Sequence, residues 1–136
     1  MSWLLDTNVV SELRKPGADP AVVSWANQFS PSEMFLSAVT ILEVERGILL
    51  VGRRDPAQAA VLQRWLDTKL LDRYGGRIQP VDVTVARQAA AFFVPDPAPE
   101  RHALIAATAK VHGLVLATRN VSDFASTGVE IVNPWA

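Results

Sequence analysis

The stretch that decides the fold is Trp3-Leu4-Leu5-Asp6-Thr7-Asn8, near the start of the chain. A short apolar run, a polar turn and then an amphipathic segment over residues 9–15 form the βα half of a βαβ unit. The same order of apolar run, polar residue and helical segment recurs at residues 34–51 and 114–124. The sequence therefore predicts an α/β fold with a parallel sheet whose strands lead into helices.

The rest of the chain continues this alternation of short strands and helices. Asp19-Pro20 and Asp55-Pro56 each place a typical N-cap residue before a proline, which suits the first position of a helix. Further helices are expected over residues 21–28, 57–71, 84–93 and 100–112, and further strands over residues 78–81 and 129–132. In a parallel sheet of this kind, ligands bind beyond the carboxyl ends of the strands.

Composition narrows the class of protein. The chain has 136 residues, of which 49% are apolar and 20% charged, which is typical of one globular domain and not of a disordered chain. It has no cysteine and only two histidines, so disulfide scaffolds, Cys-ligated zinc sites, iron–sulfur clusters and Cys nucleophiles are excluded. Any metal site must therefore rely mainly on oxygen ligands.

The charge balance does not indicate a globally basic nucleic-acid binder, because the chain has 13 basic and 14 acidic residues. Ten of those basic residues are arginine, a bias that suits bidentate phosphate contacts and equally reflects genome composition. The apolar N-terminal run meets Asp6 too early for a signal peptide, and no run approaches the ~18–20 apolar residues of a membrane span. The expected compartment is the cytoplasm, with no membrane partner.

Three acidic residues follow three of the expected strands. Asp6 comes directly after the first strand, Glu43 lies one turn into the helix after the second, and Asp123 follows a later strand. Each has a local interpretation: Asp6 suits an N-cap, and both Thr40-x-x-Glu43 and Asn120-x-x-Asp123 have the spacing of helix-capping pairs.

Together the three acids suggest more than capping. At one edge of a parallel sheet they repel one another, and their pKa values rise unless a cation lies among them. Hard divalent ions such as Mg²⁺ or Mn²⁺ prefer oxygen ligands and keep some of their water. Such a site activates water and stabilises a leaving oxygen in phosphodiester hydrolysis.

Four blocks of sequence carry a resemblance to a known family. They are residues 4–13, beginning Leu4-Leu5-Asp6-Thr7-Asn8; residues 36–48, with Thr40-Ile41-Leu42-Glu43; residues 103–109, beginning Ala103-Leu104-Ile105-Ala106; and residues 117–124, from Ala117-Thr118-Arg119-Asn120 to Asp123-Phe124. In this order they resemble the PIN-domain family, and within it the VapC-type (FitB-like) ribonuclease toxins of bacterial toxin–antitoxin pairs. The blocks cover nearly the whole chain.

The resemblance implies a single PIN-like domain over residues 1–136. Its fold is a three-layer α/β/α arrangement with a short central parallel sheet of four to five strands and a helical hairpin arm. The implied activity is hydrolysis of RNA by an endoribonuclease that depends on Mg²⁺ or Mn²⁺. The implied partners are the RNA substrate, a second copy of the chain in a homodimer, and a cognate antitoxin that neutralises the enzyme.

The resemblance also assigns roles to residues. Asp6, Glu43 and Asp123 match acids of the family and are the expected metal ligands and catalytic residues. The residues expected to contact the substrate are Thr7, Asn8, Thr118, Arg119 and Asn120. For Arg119, an RNA phosphate contact and a solvated surface position are both open.

The main departure from the family pattern is His102. The family usually has Asp where this chain has His102, directly before Ala103-Leu104-Ile105-Ala106. The imidazole is expected within the catalytic site, but it removes a negative charge and suits Mg²⁺ poorly. Glu100 is a substitute ligand only if the helix begins after it.

Two functional hypotheses remain, separated by His102. The chain is either a metal-dependent ribonuclease or a catalytically weakened PIN-fold module that acts by binding RNA or antitoxin. A phosphoacceptor receiver or a phosphatase is disfavoured, because a second acid after the first strand, a Lys at a strand end and an Asp-x-Asp motif are all missing.

Overall fold

The structure is a computed structural model that describes all residues, 1–136. Its five strands form one parallel sheet with the order β3-β2-β1-β4-β5. The strands are β1 (Trp3–Leu5), β2 (Met34–Ser37), β3 (Ile78–Gln79), β4 (Val115–Ala117) and β5 (Ile131–Val132). This confirms the expected α/β class and the short central parallel sheet.

Eight α-helices accompany the sheet. They are α1 (Thr7–Arg14), α2 (Pro20–Asn27), α3 (Ala38–Gly52), α4 (Pro56–Trp65), α5 (Leu71–Arg73), α6 (Val83–Ala91), α7 (Glu100–His112) and α8 (Val121–Phe124). Helices α3 and α4 pack against each other as the expected hairpin arm. None of the helices combines the length and hydropathy needed to cross a lipid bilayer.

Apolar residues alternate between the two faces of the sheet, which produces the three layers. In β1, Trp3 and Leu5 belong to one buried cluster with residues of α1, α2 and α3, whereas Leu4 belongs to a second cluster with Ile105 of α7. Side chains of a strand point alternately to opposite faces, so this short run is buried on both sides. Because the side chains of β1 are apolar on both faces, helices cover both sides of the sheet.

Several element boundaries differ from the sequence-based expectation, each for a local reason. Helix α3 begins at Ala38 and not at residue 40, because the Ser37 hydroxyl accepts the Val39 N–H at 3.0 Å as an N-cap. The single helix expected over residues 57–71 is divided: α4 ends at Trp65, and a π-helical segment, Leu66–Leu70, connects it to α5. Strand β3 ends at Gln79, since Pro80 has no N–H for a sheet ladder.

Candidate functional site

The site lies at the carboxyl end of β1, where the sheet order turns. Chain order proceeds from β1 to β2 on one side, while β4 lies on the other side of β1. This is a topological switch point, the usual ligand position in an open parallel sheet. The Asp6 N–H donates to the Ala117 carbonyl at 2.9 Å, so Asp6 is held where β1 and β4 both end.

Asp6 is a buried carboxylate with a defined orientation. It is 6% exposed; its Oδ1 accepts the Thr7 N–H at 2.8 Å, and its Oδ2 accepts the Thr118 hydroxyl at 2.8 Å. Burial raises the pKa of Asp6 above its usual value, and the nearby Glu43 charge raises it further, although the two hydrogen bonds oppose the shift. Ionising Asp6 at this buried position therefore costs more free energy than ionising an exposed aspartate.

Glu43 faces Asp6 from the second turn of α3. Its Oε1 accepts the Thr7 hydroxyl at 2.8 Å, and its Oε2 contacts Arg101 Nη1 at 3.1 Å. The capping-box interpretation of Glu43 is wrong, because Ser37 and not Thr40 caps this helix. Glu43 lies one turn deeper and contacts residues outside its own helix.

These two carboxylates line one polar cavity of about 240 Å³. The lining residues, of which only one is apolar, are Asp6, Thr7, Asn8, Ser11, Glu43, Arg101, His102, Ile105 and Asn120. Thr118 lies buried beneath this cavity and hydrogen-bonds to Asp6 and to the Asn120 N–H. Thr7, Asn8, Thr118 and Asn120 are thus all placed at the expected site.

Asp123 lies apart from Asp6 and Glu43. It is 44% exposed and lines a neighbouring cavity of about 140 Å³, and its Oδ2 is 3.9 Å from His102 Nε2. His102 lines both cavities and so lies between the acids. This corrects the expectation that three carboxylates share one hollow, and no three His, Asp or Glu side chains of the chain are grouped closely enough to hold a metal.

Arg119 and Glu100 also lie outside the cavity. The guanidinium of Arg119 is 5.2 Å from the Trp135 ring, while its backbone N–H donates to Asn8 Oδ1 at 3.3 Å. Helix α7 begins at Glu100, which is exposed, so the condition under which Glu100 replaces the missing Asp is not met.

Three of the lining residues were not predicted from the sequence: Arg101, Ser11 and Ile105. A cation in the first turn of a helix is opposed by the helix dipole, and Arg101 is the second residue of α7. An arginine at such a position is favoured only if an acidic partner lies nearby, and this feature of the sequence could have indicated that Arg101 belongs to the site. That partner is Glu43.

The residues present fit a hard divalent cation held by two carboxylates. Asp6 Oδ1 and both oxygens of Glu43 accept one contact each and have a second lone pair, whereas Asp6 Oδ2 accepts both the Thr118 hydroxyl and, at 3.4 Å, the Asn8 amide. The burial that raises the pKa of Asp6 indicates a place where positive charge is favourable. Mg²⁺ is commonly bound through one or two carboxylates, with water and substrate phosphate completing its shell.

The comparisons with known proteins agree with this architecture. The model of the family described as "PIN domain" matches residues 3–129. The chain belongs to the PIN domain family. Within that family it belongs with the VapC- and FitB-type toxins, as its sequence blocks indicated.

Two curated relatives and one solved structure show the extent of the similarity. This PIN domain chain is 34% identical to the VapC ribonuclease Y4jK of Sinorhizobium fredii, over 97% of this chain and 96% of that protein. It is 37% identical to Toxin FitB of Neisseria gonorrhoeae, over 97% of both chains. The crystal structure of FitAcB from Neisseria gonorrhoeae superposes with a TM-score of 0.87 at 35% identity, over 97% of each chain.

Proposed function

We propose that this chain is an endoribonuclease toxin that hydrolyses RNA phosphodiester bonds with the help of Mg²⁺ or Mn²⁺. The observation that carries the proposal is the buried carboxylate of Asp6 beside Glu43, in a polar cavity at the switch point of a PIN domain. A relative that aligns with 97% of this chain is named a VapC ribonuclease, and the dependence on a divalent ion is part of the proposal, as is the choice between the two ions.

In the proposed mechanism, Asp6 and Glu43 are the residues that would hold the divalent ion. When bound, the ion supplies activation of water and stabilisation of the negative charge that develops on the phosphate. Thr118 and the Thr7 N–H fix the orientation of Asp6, and the Thr7 hydroxyl fixes Glu43. These contacts hold both carboxylates in place before substrate arrives, so little reorganisation is needed during reaction.

Polar residues around the carboxylates are proposed to bind the RNA backbone. Ser11 and Asn120 line the cavity and provide neutral donors, while Arg101 provides positive charge at its mouth. The substrate is proposed to be an unpaired segment, because the backbone of a paired helix is less accessible to a concave site. His102, which lines this cavity, and Asp123, which lines the neighbouring one, complete the proposed catalytic set.

We also propose a cognate antitoxin and a homodimer as partners. The antitoxin is supported by the FitAcB structure and by a structure of FitAB bound to a DNA fragment, with 33% identity and a TM-score of 0.87, whereas the homodimer is inferred from the family resemblance. The similarity of both structures to this chain extends over the cavity-bearing domain and not over a short motif.

A second candidate function is binding without efficient hydrolysis. It is favoured by one observation: only two carboxylates line the cavity, and His102 stands between them and Asp123. The weakened module would use the same surface to bind RNA or antitoxin.

RNA cleavage by the purified chain separates the two functions. We expect single-stranded RNA to be cleaved with Mg²⁺ or Mn²⁺ and not with a chelator, and Asp6→Asn to abolish cleavage. His102→Asp is the discriminating variant: a small change supports the ribonuclease, and strong activity found only in this variant supports the binding module. Cleavage that survives both the chelator and Asp6→Asn overturns the proposed function.

A further inference from the structure

The Arg101–Glu43 ion pair is unusual within this molecule. Its atoms are 3.1 Å apart although the residues are 58 positions apart in the chain, so it connects α3 with α7. The chain has two other ion pairs, one local pair within α1 and its cap, and the looser His102–Asp123 contact at 3.9 Å. Arg101–Glu43 is therefore the one close ion pair between distant elements.

Position and surroundings indicate why Arg101 is there. In the first turn of α7 its charge is opposed by the helix dipole, so the helix itself does not favour it. Arg101 is also the only Lys or Arg side chain that lines the cavity holding Asp6 and Glu43. Its charge offsets the repulsion between two carboxylates at the place where a divalent ion is proposed to bind.

We propose that Arg101 is a built-in counter-cation that competes with the divalent ion for Glu43, an inference that rests on the proposed function. The guanidinium occupies Glu43 Oε2, whereas Glu43 Oε1 already accepts the Thr7 hydroxyl. An ion held jointly by Asp6 and Glu43 lowers the affinity of Glu43 for Arg101, and by reciprocity Arg101 lowers the affinity of the site for the ion.

The exposure of the two partners allows this exchange. The Glu43 side chain is 12% exposed and stays with the site, whereas the Arg101 side chain is 52% exposed and can return to water at little cost. After displacement the guanidinium remains at the mouth of the cavity. There it is available to an RNA phosphate, for which its planar donor pattern is suited.

Titration calorimetry with Mn²⁺ on the full chain tests this competition. Four proteins are compared at one ionic strength: wild type, Arg101→Met, Arg101→Lys and Arg46→Met. Methionine keeps an unbranched aliphatic stem. Arg46 is the matched control, because it is an exposed arginine one turn beyond Glu43 on α3 and forms no ion pair.

We expect Arg101→Met to bind Mn²⁺ about two- to fivefold more tightly than wild type, the range for a partly exposed ion pair. Arg101→Lys should lie between them, since it keeps the charge and loses the planar geometry, and Arg46→Met should stay close to wild type. Unchanged affinity in Arg101→Met, or an equal gain in Arg46→Met, overturns the inference. A purely structural tie between α3 and α7 lowers thermal stability and leaves Mn²⁺ affinity unchanged.

Asp6→Asn distinguishes failure of this inference from failure of the proposed function. If wild type binds Mn²⁺, Asp6→Asn does not, and Arg101→Met equals wild type, then only the role of Arg101 is wrong. If Mn²⁺ binds to none of these proteins, or binds equally to Asp6→Asn, then the metal site is wrong and the inference falls with it.

Discussion

The buried carboxylate of Asp6 leads to a prediction about stability with and without metal. Burial raises its pKa in the folded protein above the usual value of 3.8, so the folded state holds this proton more tightly than the unfolded state does. The corresponding stability is fully present below pH 3.8 and is lost as pH rises through the folded pKa. At neutral pH, ionised Asp6 therefore destabilises the metal-free protein.

Asp6→Asn removes this charge and keeps the shape of the side chain. Its Oδ1 still accepts the Thr7 N–H, and Asn is a favourable N-cap residue. We expect the metal-free variant to gain stability relative to wild type as pH rises from 4 to 8, because only the wild-type chain loses the Asp6 proton. Thermal unfolding in the presence of a chelator, followed by circular dichroism across this pH range, measures the difference.

Metal should reverse the order of the two proteins. An ion at about 100 times its Kd stabilises the folded state by about 2.7 kcal/mol. For a chain of this length, each kcal/mol shifts Tm by roughly 3 to 4 °C, so wild type should gain about 9 °C. Asp6→Asn should lose most of that gain, since one of two carboxylate ligands has become a neutral amide. An equal metal-induced shift in both proteins, or no shift in wild type, refutes the reasoning.

Further predictions concern four individual residues. Thr118→Val removes the buried hydroxyl that donates to Asp6 and accepts the Asn120 N–H, and should cost about 1–3 kcal/mol in urea unfolding; a variant as stable as wild type contradicts these bonds. Gly113→Ala should lower the free energy of unfolding by about 1–2 kcal/mol, because φ is 64° at this helix end and a Cβ there meets no neighbour but strains the backbone. Gly47→Ala within α3, where a Cβ also meets no neighbour, should instead raise the free energy of unfolding by about 0.5–1 kcal/mol. Burial raises the pKa of Tyr74 above 10 despite two nearby arginines, so its absorbance titration should lie above that of free tyrosine and fold stability should fall as pH rises past 10; titration at the free value contradicts this.

Much of the fold was predictable because it depends on short apolar runs. Trp3–Leu5 and Val115–Ala117 are buried on both faces, and short, continuously apolar runs of this kind are typical of strands in a parallel sheet. The chain order of strands and helices then limits the topology to a parallel sheet. The position of Asp6 followed directly, since a residue that immediately follows a central strand has little freedom to lie elsewhere.

The rest of the site depends on contacts that local sequence does not determine. The role of Glu43, in a helix cap or in the cavity, depends on where α3 begins. The helix begins at Ala38 because the buried Ser37, three residues before Thr40, is its N-cap. The separation of Asp123 from Asp6 arises because His102 of α7 lies between them, which requires the packing of α7 and α8. The pairing of Arg101 with Glu43 joins two residues that are 58 positions apart, beyond any periodic pattern.

The position of a bound metal ion tests the central claim most directly. Crystals of the chain grown with Mn²⁺ should be measured for anomalous scattering, which locates the ion independently of any activity. We expect one peak between the carboxylates of Asp6 and Glu43, at roughly 2.0–2.2 Å from an oxygen of each, as oxygen ligands of such ions require. A peak held only by His102 and Asp123, or none in the cavity at saturating Mn²⁺, contradicts the account.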